Sequence, residues 1–349
     1  MAVTRITRTR AVVSHSDTIQ EAAGDTPAAF IATGGAGLSL AGPRDYFALM
    51  KPRVMSLVVF TAICGLLLAP GSLSGSIGFG SAFIAIFCIA VGAGASGALN
   101  MWYDSDIDGA MARTSQRPIP KGVLSPRAAL GFGTVMSVGS VWLLLVATNW
   151  IAAGLLAFTI FFYLVIYTIW LKRSTPQNIV IGGAAGAFPP MVAYAAVTGT
   201  ITLDSVILFA IIFFWTPPHF WALALYKQTD YGRVGIPMMP NVRGAKSTRL
   251  QIFVYSLILL AISLLPLATG LGGWIYGVVG GALSAVFVAL AWRVFGSRAG
   301  DKPTETDSDT LYAVRNGNQS ARNLFLYSIL YLFALFAVLT VDHLIFGGL

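Results

Sequence analysis

The sequence predicts an all-α membrane protein, a polytopic bundle of nine transmembrane helices. Of its 349 residues, 56% are hydrophobic and 10% are charged, whereas a soluble domain carries roughly 25% charged residues. The mean hydropathy of +0.76 agrees, so a soluble protein is excluded. A membrane barrel is disfavoured, because barrel strands alternate apolar and polar residues and the apolar stretches of this chain do not.

Five stretches that lack Asp, Glu, Lys and Arg define the spans in order, with Asp204 as the single interruption. A transmembrane helix needs about 20 apolar residues. Each of the first four stretches, 43 to 53 residues long, therefore holds a helical hairpin, and the 19-residue last stretch holds one helix. The stretches are 54–103, 128–171, 174–226, 250–292 and 323–341.

The basic residues predict how the helices are oriented. With nine spans, all 22 Lys and Arg residues fall in the segments on the side of the N-terminus, and the opposite connections contain none. Basic residues stay on the cytoplasmic side during insertion, so the N-terminus is predicted to be cytoplasmic and the C-terminus outside. The formal net charge of +8 therefore reflects topology and does not indicate nucleic-acid binding.

The chain is predicted to divide into a tail, residues 1–45, and a nine-helix membrane domain, residues 46–349. The tail is rich in Ala, Thr, Ser and Gly, a composition typical of a disordered cytoplasmic segment. Arg5, Arg8 and Arg10 leave a mitochondrial presequence open as the alternative, although the acidic residues that follow them argue against it.

The first polar cluster lies at the predicted cytoplasmic end of the second span. Asn100, Asp104 and Asp108 are four residues apart, so a helix places them on one face, while Asp106 points elsewhere. Two carboxylates at a helix C-terminus repel each other and the helix dipole. A divalent cation would neutralise them, and oxygen ligands favour Mg²⁺; the alternative is a solvated helix end.

Basic residues follow these carboxylates closely. Arg113, Arg117 and Lys121 lie in the next loop, and two prolines stiffen their connection. Carboxylates with a metal, opposed by Arg and Lys side chains, form a clamp for a phosphorylated group. We therefore predict diphosphate binding here, although each base taken alone is an ordinary residue of a cytoplasmic loop.

A third polar cluster lies at the end of the sixth span. His219 lies within the apolar segment, and a His in a membrane span is a functional candidate; the alternative is a His that is hydrogen-bonded to a neighbouring backbone. Trp221, Tyr226, Lys227 and Asp230 follow it. An aspartate at a helix exit, followed by prolines and bases, repeats the order of the first loop and hints at an internal duplication.

The first cluster resembles the Asn-x-x-x-Asp-x-x-x-Asp motif of the membrane-embedded aromatic prenyltransferase superfamily, whose members have nine helices. The resemblance covers about residues 43–345. The usual second motif of the superfamily has two aspartates at four-residue spacing, and here Tyr226 stands in the first position and Asp230 in the second. The resemblance implies that Mg²⁺ is the cofactor and that Asp104, Asp108 and Asp230 hold it.

Further motifs resemble the branch of this superfamily that farnesylates protohaem IX. They are an Asp-x-Asp-x-Asp run, an Arg-Thr-x-x-Arg-Pro run, the glycine- and proline-rich run 178–190, and the His-Phe-Trp run. This resemblance implies transfer of farnesyl from farnesyl diphosphate to the vinyl group of haem B, which forms haem O. The implied catalytic residues are Asp104, Asp108, Asp230, Tyr226 and Lys227. The implied diphosphate-binding residues are Asn100, Arg113, Arg117 and Lys121. The implied haem-binding residues are His219, Trp221, Lys172, Arg173 and Asn178.

Other interpretations stay open at this point. Topology explains Lys172 and Arg173 as well as haem binding does, and close helix packing explains the small residues after Asn178. A prenyltransferase acting on a quinone or chlorin precursor is the alternative within the same chemistry. A non-catalytic haem or lipid transporter is the alternative of another class, but transporter sites lie near the membrane midplane, and these polar residues crowd one edge.

The predicted partners are farnesyl diphosphate, haem B and the lipid bilayer, without nucleic acid. Haem-delivery, haem-modifying and oxidase-assembly proteins are candidates for further partners. The predicted location is the cell inner (cytoplasmic) membrane, in which the chain is multi-pass and its active site faces the cytoplasm. An inner mitochondrial membrane stays open as the second location.

Overall fold

The computed structural model of the chain is all-helical over the residues that it describes, which confirms the predicted fold class. Residues 1–40 of the predicted tail lie outside the described part, and the first helix begins at Pro43. The described residues, among which no strand occurs, are 41–72, 75–110, 114–227, 237–301 and 308–346.

The spans follow the predicted order. Eight helices are long and apolar enough to cross a membrane, and the bent pair Pro43–Leu49 and Val54–Leu67 makes a ninth when it is counted as one span. The nine predicted spans are thus accounted for within the described part of the chain. The helices are α1 (Pro43–Leu49), α2 (Pro52–Leu67), α3 (Phe79–Tyr103), α4 (Ser105–Asp108), α5 (Pro126–Ala147), α6 (Trp150–Phe161) continued by a π-helix (Phe162–Leu171), α7 (Lys172–Ser174), α8 (Asn178–Thr198), α9 (Leu203–Tyr226), α10 (Met239–Val242), α11 (Ala245–Ser263), α12 (Leu265–Thr269), α13 (Trp274–Phe295) and α14 (Ser308–Phe346).

Short polar side chains begin the helices that follow the tight turns after α5 and α8. Asn149 accepts a hydrogen bond from the Ala152 N–H at 2.9 Å at the start of α6, and Thr202 accepts one from the Ser205 N–H at 3.3 Å at the start of α9. Such caps satisfy amides that have no partner within the helix. Asn149 Nδ2 also donates to Ala195 O at 2.9 Å, which ties the turn between α5 and α6 to α8.

Helix α8 lies at the centre of the bundle, where 78% of the residues in its apolar stretch are buried. It packs along α2, α6 and α9. Small residues let these helices approach closely, because a Cβ at Gly65 of α2 would meet the Pro190 backbone and one at Gly183 would lie 2.8 Å from Thr216 Cγ2 of α9. Small residues at helix crossings are the usual means of close packing in membranes.

The remaining spans pack in pairs on this centre, α3 along α5 and α13 along α14. Arg249 of α11 is buried, and it donates to Ala299 O at 2.6 Å and to Asp301 Oδ1 at 2.8 Å. A buried charge is tolerated when it is paired in this way. The contact ties the seventh span to the connection between the eighth and ninth.

Replacing Gly65 with Ala is expected to destabilise the bundle, because the added Cβ would lie against backbone atoms of Pro190, which cannot rotate away. Overpacking of this kind costs about 1–3 kcal/mol. Gly139→Ala in α5 is the matched control, because nothing lies within 4 Å of that Cβ position. Thermal unfolding in detergent should begin earlier for Gly65→Ala alone, and equal melting temperatures would contradict this.

Candidate active site

The structure brings Asn100, Asp104 and Asp108 to one face at the end of α3. The Asp104 N–H donates to Asn100 O and the Asp108 N–H donates to Asp104 O, both at 2.9 Å, so the helical spacing continues across the break between α3 and α4. Asn100 Nδ2 donates to Asp104 Oδ2 at 2.7 Å. Both carboxylates are at most 1% exposed, and buried charges need partners.

Cations from two other segments provide those partners. Lys172, directly after the π-helix of the fourth span, pairs with Asp104 Oδ2. Arg117, in the loop after α4, pairs with Asp108 Oδ2 at 2.6 Å. The side chains of Lys172 and Arg117 are 17% and 22% exposed. Because little water screens these pairs, they are stronger than ion pairs on an open surface.

Lys51 completes this arrangement, although the sequence offers no signal for it beyond a base directly before a span. Its Nζ donates to Asn100 Oδ1 at 2.8 Å. With φ 53° and ψ 58°, Lys51 adopts the left-handed conformation, which is uncommon for a residue with a Cβ. Pro52 disfavours a right-handed helical conformation for the residue before it. The Lys51 side chain lies along α3 at Gly97, where a Cβ would be 3.6 Å from Lys51 Cδ, an ordinary contact distance. We call the following residues the charged cluster: Lys51, Asn100, Asp104, Asp108, Arg117 and Lys172.

Arg173 lies at the edge of the charged cluster. Its guanidinium donates two hydrogen bonds of 2.8 Å to Asp106 and lies 4.8 Å from the centroid of the Tyr103 ring. The hydrogen bonds from Arg173 lower the pKa of the exposed Asp106 carboxyl below its usual value. Asp106 thus pairs with Arg173 outside the charged cluster. It points away from Asn100, as its place in the sequence, six residues later, indicates.

One oxygen of the charged cluster lacks a hydrogen-bond donor. Asp104 Oδ1 is buried and accepts no hydrogen bond from the residues that the structure describes, and Arg173 Nη2 lies 3.6 Å away. A buried acceptor without a donor is costly. A hard divalent cation would satisfy it, since Mg²⁺ prefers carboxylate oxygens. The residues present therefore fit a metal held by Asp104 and Asp108.

Two predicted site residues, Arg113 and Asp230, lie outside the described residues. The predicted set of three carboxylates is therefore represented by Asp104 and Asp108 alone, and no group of three or more His, Cys, Asp or Glu that could hold a metal occurs in the described ranges. Lys121 is exposed, one turn after Arg117 in the loop between α4 and α5.

The fourth span reaches the charged cluster through the π-helix Phe162–Leu171. Such segments, with hydrogen bonds between residues five apart, are rare and occur frequently at functional sites. Thr168 Oγ1 donates to Tyr163 O at 2.8 Å, five residues back, and accepts from Asn100 Nδ2 at 3.2 Å. The segment that carries Lys172 is therefore bonded to the second span. No apolar pattern in the sequence indicates this π-helix.

His219 lies in separate surroundings, on α9 at its contact with α14. It is 8% exposed, and its ring stacks between Trp215 and Phe325, with centroids 4.4 and 4.7 Å away. Its Nδ1 lies 2.6 Å from Ser328 Oγ, which donates its own proton to Phe325 O at 2.6 Å. Because a hydroxyl has one proton, His219 Nδ1 is the donor to Ser328 and Nε2 carries the lone pair.

Trp221 and Asn178, both predicted to bind haem, are enclosed by the fold. Trp221 is fully buried and packs edge-on against Tyr255, with ring centroids 5.3 Å apart. Asn178 is buried at the start of α8, where its Nδ2 donates to Thr175 O at 2.7 Å. These contacts give Trp221 a packing role in the described structure and let Asn178 close the connection between the fourth and fifth spans.

The other predicted residues lie either near His219 or at the charged cluster. Tyr226 ends α9, with its ring centroid 6.1 Å from that of Phe325 near His219, and Lys227 follows as an exposed residue. Lys172 and Arg173, predicted as partners of haem, lie instead against the carboxylates of Asp104 and Asp106. The structure thus brings two of the predicted diphosphate residues, Asn100 and Arg117, together with Lys172, which was predicted to bind haem.

Comparison with known proteins identifies the family. The model of the UbiA prenyltransferase family matches residues 58–307, a range that contains both carboxylates of the charged cluster. The chain belongs to the UbiA prenyltransferase family. The predicted superfamily and the predicted class of enzyme, a prenyltransferase, are thereby confirmed.

Curated relatives of this UbiA-family chain are similar over most of its length. The chain is 60% identical to the Protoheme IX farnesyltransferase of Maricaulis maris (strain MCS10) over 309 residues, which cover 88% of this chain and 92% of the relative. It is 58% identical to the protein of the same name from Agrobacterium fabrum (strain C58) over 306 residues, 88% of this chain and 91% of the relative.

Solved structures share the UbiA fold at low sequence identity. A structure described for digeranylgeranylglyceryl phosphate synthase matches with a TM-score of 0.64 and 16% identity, over 86% of this chain and 97% of the other. A UbiA homologue from Archaeoglobus fulgidus, solved with DMAPP and Mg²⁺, matches with a TM-score of 0.59 and 15% identity, over 84% and 99%. These likenesses confirm the fold.

Asp104→Ala is expected to destabilise the metal-free protein by about 3 kcal/mol, because removing one partner of a buried pair leaves Lys172 uncompensated. Asp106→Ala removes an exposed pair with Arg173 and should cost at most about 1 kcal/mol. Melting temperatures of both variants in detergent with a chelator measure the difference. A more stable Asp104→Ala protein would mean that repulsion between the carboxylates outweighs their pairing.

Proposed function

We propose that this enzyme transfers the farnesyl group of farnesyl diphosphate to the vinyl group of haem B and so forms haem O for terminal oxidases. The observation that carries the proposal is the charged cluster, in which cations from three segments meet two buried carboxylates at one end of the spans. The names of the relatives at 60% and 58% identity support the choice of both substrates.

The diphosphate and Mg²⁺ bind at the charged cluster in this proposal. Asp104 and Asp108 hold the metal together with Asp230, and the metal, when bound, neutralises the leaving diphosphate. Asp104 Oδ1, which accepts no hydrogen bond from the described residues, supports this, as does the divalent metal in the Archaeoglobus fulgidus homologue. Arg113 and Lys121 keep their predicted role as additional diphosphate ligands.

The cations of the charged cluster change partners when the metal diphosphate binds. Lys172 and Arg117 occupy carboxylate oxygens that a metal would need. Once those oxygens are engaged, both side chains are free to pair with diphosphate oxygens, beside Lys51. This assigns Lys172, and Arg173 next to it, to the diphosphate instead of the haem propionates.

The chemical step begins with cleavage of the bond between C1 of farnesyl and its oxygen. The bonding electrons leave with the diphosphate, and the surrounding cations stabilise its growing charge. The vinyl π electrons attack the farnesyl cation, and water then supplies the hydroxyl group of the product and releases a proton. Aromatic faces stabilise such a cation, and the rings of Tyr163 and Tyr167, 5.4 Å apart on the π-helix, and of Tyr226 are suited to this role.

Haem binds from the side of His219 in this proposal. An imidazole that donates one ring N–H to a fixed acceptor presents its other nitrogen to a metal, and the bond to Ser328 leaves the Nε2 lone pair of His219 available to the haem iron. Trp215 and Phe325 hold the ring from both faces. Trp221, also on α9, packs this helix against α11 through its contact with Tyr255.

We place the enzyme in the cell inner membrane, with the N-terminus and the charged cluster on the cytoplasmic side and the C-terminus outside. The distribution of the 22 basic residues supports this orientation. The catalytic domain in this proposal follows a cytoplasmic tail and includes helix α1, which begins at Pro43. A product bound in the bilayer suits handover to haem-modifying and oxidase-assembly proteins.

Formation of haem O tests the proposal. Membranes that contain the chain are incubated with farnesyl diphosphate, Mg²⁺ and haem B, and the haems are separated by chromatography. Haem O should form with the unaltered chain, fall at least roughly a hundredfold with Asp104→Asn, and persist with Asp204→Asn. The control makes the same chemical change in the first turn of α9, at the opposite end of the bundle.

Each alternative predicts a different result when the same membranes are also given 4-hydroxybenzoate or are assayed for transport. Prenylated 4-hydroxybenzoate without haem O would indicate a prenyltransferase with a quinone precursor as acceptor. Haem or lipid transport that survives Asp104→Asn, with no prenylated product, would indicate a transporter. Either result would overturn the proposed reaction.

His219→Ala is expected to weaken haem B binding roughly 10- to 100-fold, because an axial ligand is lost, and to leave binding of farnesyl diphosphate intact. Titration of the purified protein with haem B, followed by the Soret absorbance, measures this. His343→Ala is the control, because His343 lies near the far end of α14, where Nδ1 contacts Leu271 O at 3.0 Å. An equal effect of both changes would contradict a role as ligand.

A further inference from the structure

Thr168 is the buried hydroxyl of the π-helix that faces the charged cluster, and it is 0% exposed. A hydroxyl carries one proton and two lone pairs. The proton is donated to Tyr163 O at 2.8 Å, so the oxygen meets Asn100 Nδ2 as an acceptor, at 3.2 Å. Asn100 therefore faces two acceptors with its amide nitrogen, the carboxylate of Asp104 and the hydroxyl of Thr168.

This pattern fixes the orientation of the Asn100 amide. If the amide were flipped, its oxygen would face Asp104 Oδ2 and Thr168 Oγ1, neither of which has a proton to give. Its nitrogen would then face the ammonium group of Lys51, which is only a donor. The observed orientation satisfies all three contacts at once. Asn100 thereby links the Lys51 ammonium group to the Asp104 carboxylate through hydrogen bonds.

The π-helix brings the Thr168 hydroxyl to the Asn100 amide. In an α-helix a Thr hydroxyl bonds the carbonyl three or four residues back, as Thr159 does with Leu155 O at 2.7 Å. Thr168 instead bonds the carbonyl of Tyr163, five residues back, in keeping with the wider turn of a π-helix. The local backbone form and the site geometry are therefore coupled through one side chain.

We infer that Thr168 is a positioning residue for binding of the metal diphosphate, acting through the amide of Asn100. By accepting one amide proton, it holds Asn100 Nδ2 on Asp104 Oδ2 and Asn100 Oδ1 on Lys51. Asp104 Oδ1 then remains the oxygen available to a metal. This inference rests on the proposed binding of Mg²⁺ and farnesyl diphosphate at the charged cluster.

The test is calorimetric titration of the purified full chain with farnesyl diphosphate at a series of Mg²⁺ concentrations. Thr168→Val keeps the shape and removes the hydroxyl, and it should weaken the Mg²⁺-dependent affinity roughly 5- to 50-fold, because one buried amide proton loses its acceptor. Thr168→Ser keeps the hydroxyl and should bind within about threefold of the unaltered chain. If the valine variant does not accumulate in membranes, Thr168→Ala takes its place.

Thr159→Val is the matched control, because it removes a buried hydroxyl from the same span without touching the charged cluster. It should leave diphosphate affinity unchanged. Unchanged affinity for Thr168→Val, equal losses in the two valine variants, or failure of serine to restore binding would each overturn the inference.

A double variant tests whether Thr168 acts through Asn100. In an Asn100→Ala background, Thr168→Val should weaken binding by less than about twofold, since its target is gone, and an undiminished effect would overturn the inference. Absence of Mg²⁺-dependent binding by the unaltered chain would overturn both proposals. Normal binding without formation of haem O would overturn only the proposed acceptor.

Discussion

Two buried carboxylates at the end of a transmembrane helix determine which polar residues other segments must bring to them. A charge at a membrane edge must be neutralised, and Asp104 and Asp108 obtain their counterions from outside their own helix. Lys172 arrives along the fourth span and Arg117 from the loop after α4. The left-handed conformation at Lys51 and the π-helix are separate local features. Each of them brings a polar side chain into the charged cluster.

The two halves of the proposed reaction occupy different parts of the bundle. The charged cluster lies among α3, the π-helix and the break before α2, whereas His219 lies on α9 and contacts α14. Helix α8 packs against α2, the π-helix and α9. Gly186 of α8 is exposed, with nothing within 4 Å of its Cβ position. The central helix α8 therefore contacts elements of both regions, and its surface is open at Gly186.

Much of the fold and part of the site could be predicted from the sequence, for identifiable reasons. Charge is so scarce that its absence marks the spans, and the four-residue spacing of Asn100, Asp104 and Asp108 survives because hydrogen bonds continue across the helix break. The role of Lys51 was not predictable, since its direction depends on a left-handed backbone conformation. The contact of His219 with Ser328, which lies 109 residues further along the chain, depends on tertiary packing. The roles predicted for Arg113 and Asp230 stay predictions.

The π-helix limits how a sequence of this kind can diverge. Because its rungs join residues five apart, Phe162–Leu171 contains more residues than an α-helix needs for the same number of turns. If the segment returned to α-helical form with its length unchanged, each surplus residue would turn everything that follows by about 100°. Lys172 would then leave Asp104, although every other side chain of the cluster was unchanged. Homologous chains that keep this site should therefore keep either the π-helix or a gap between Phe162 and Lys172 that removes the surplus residues.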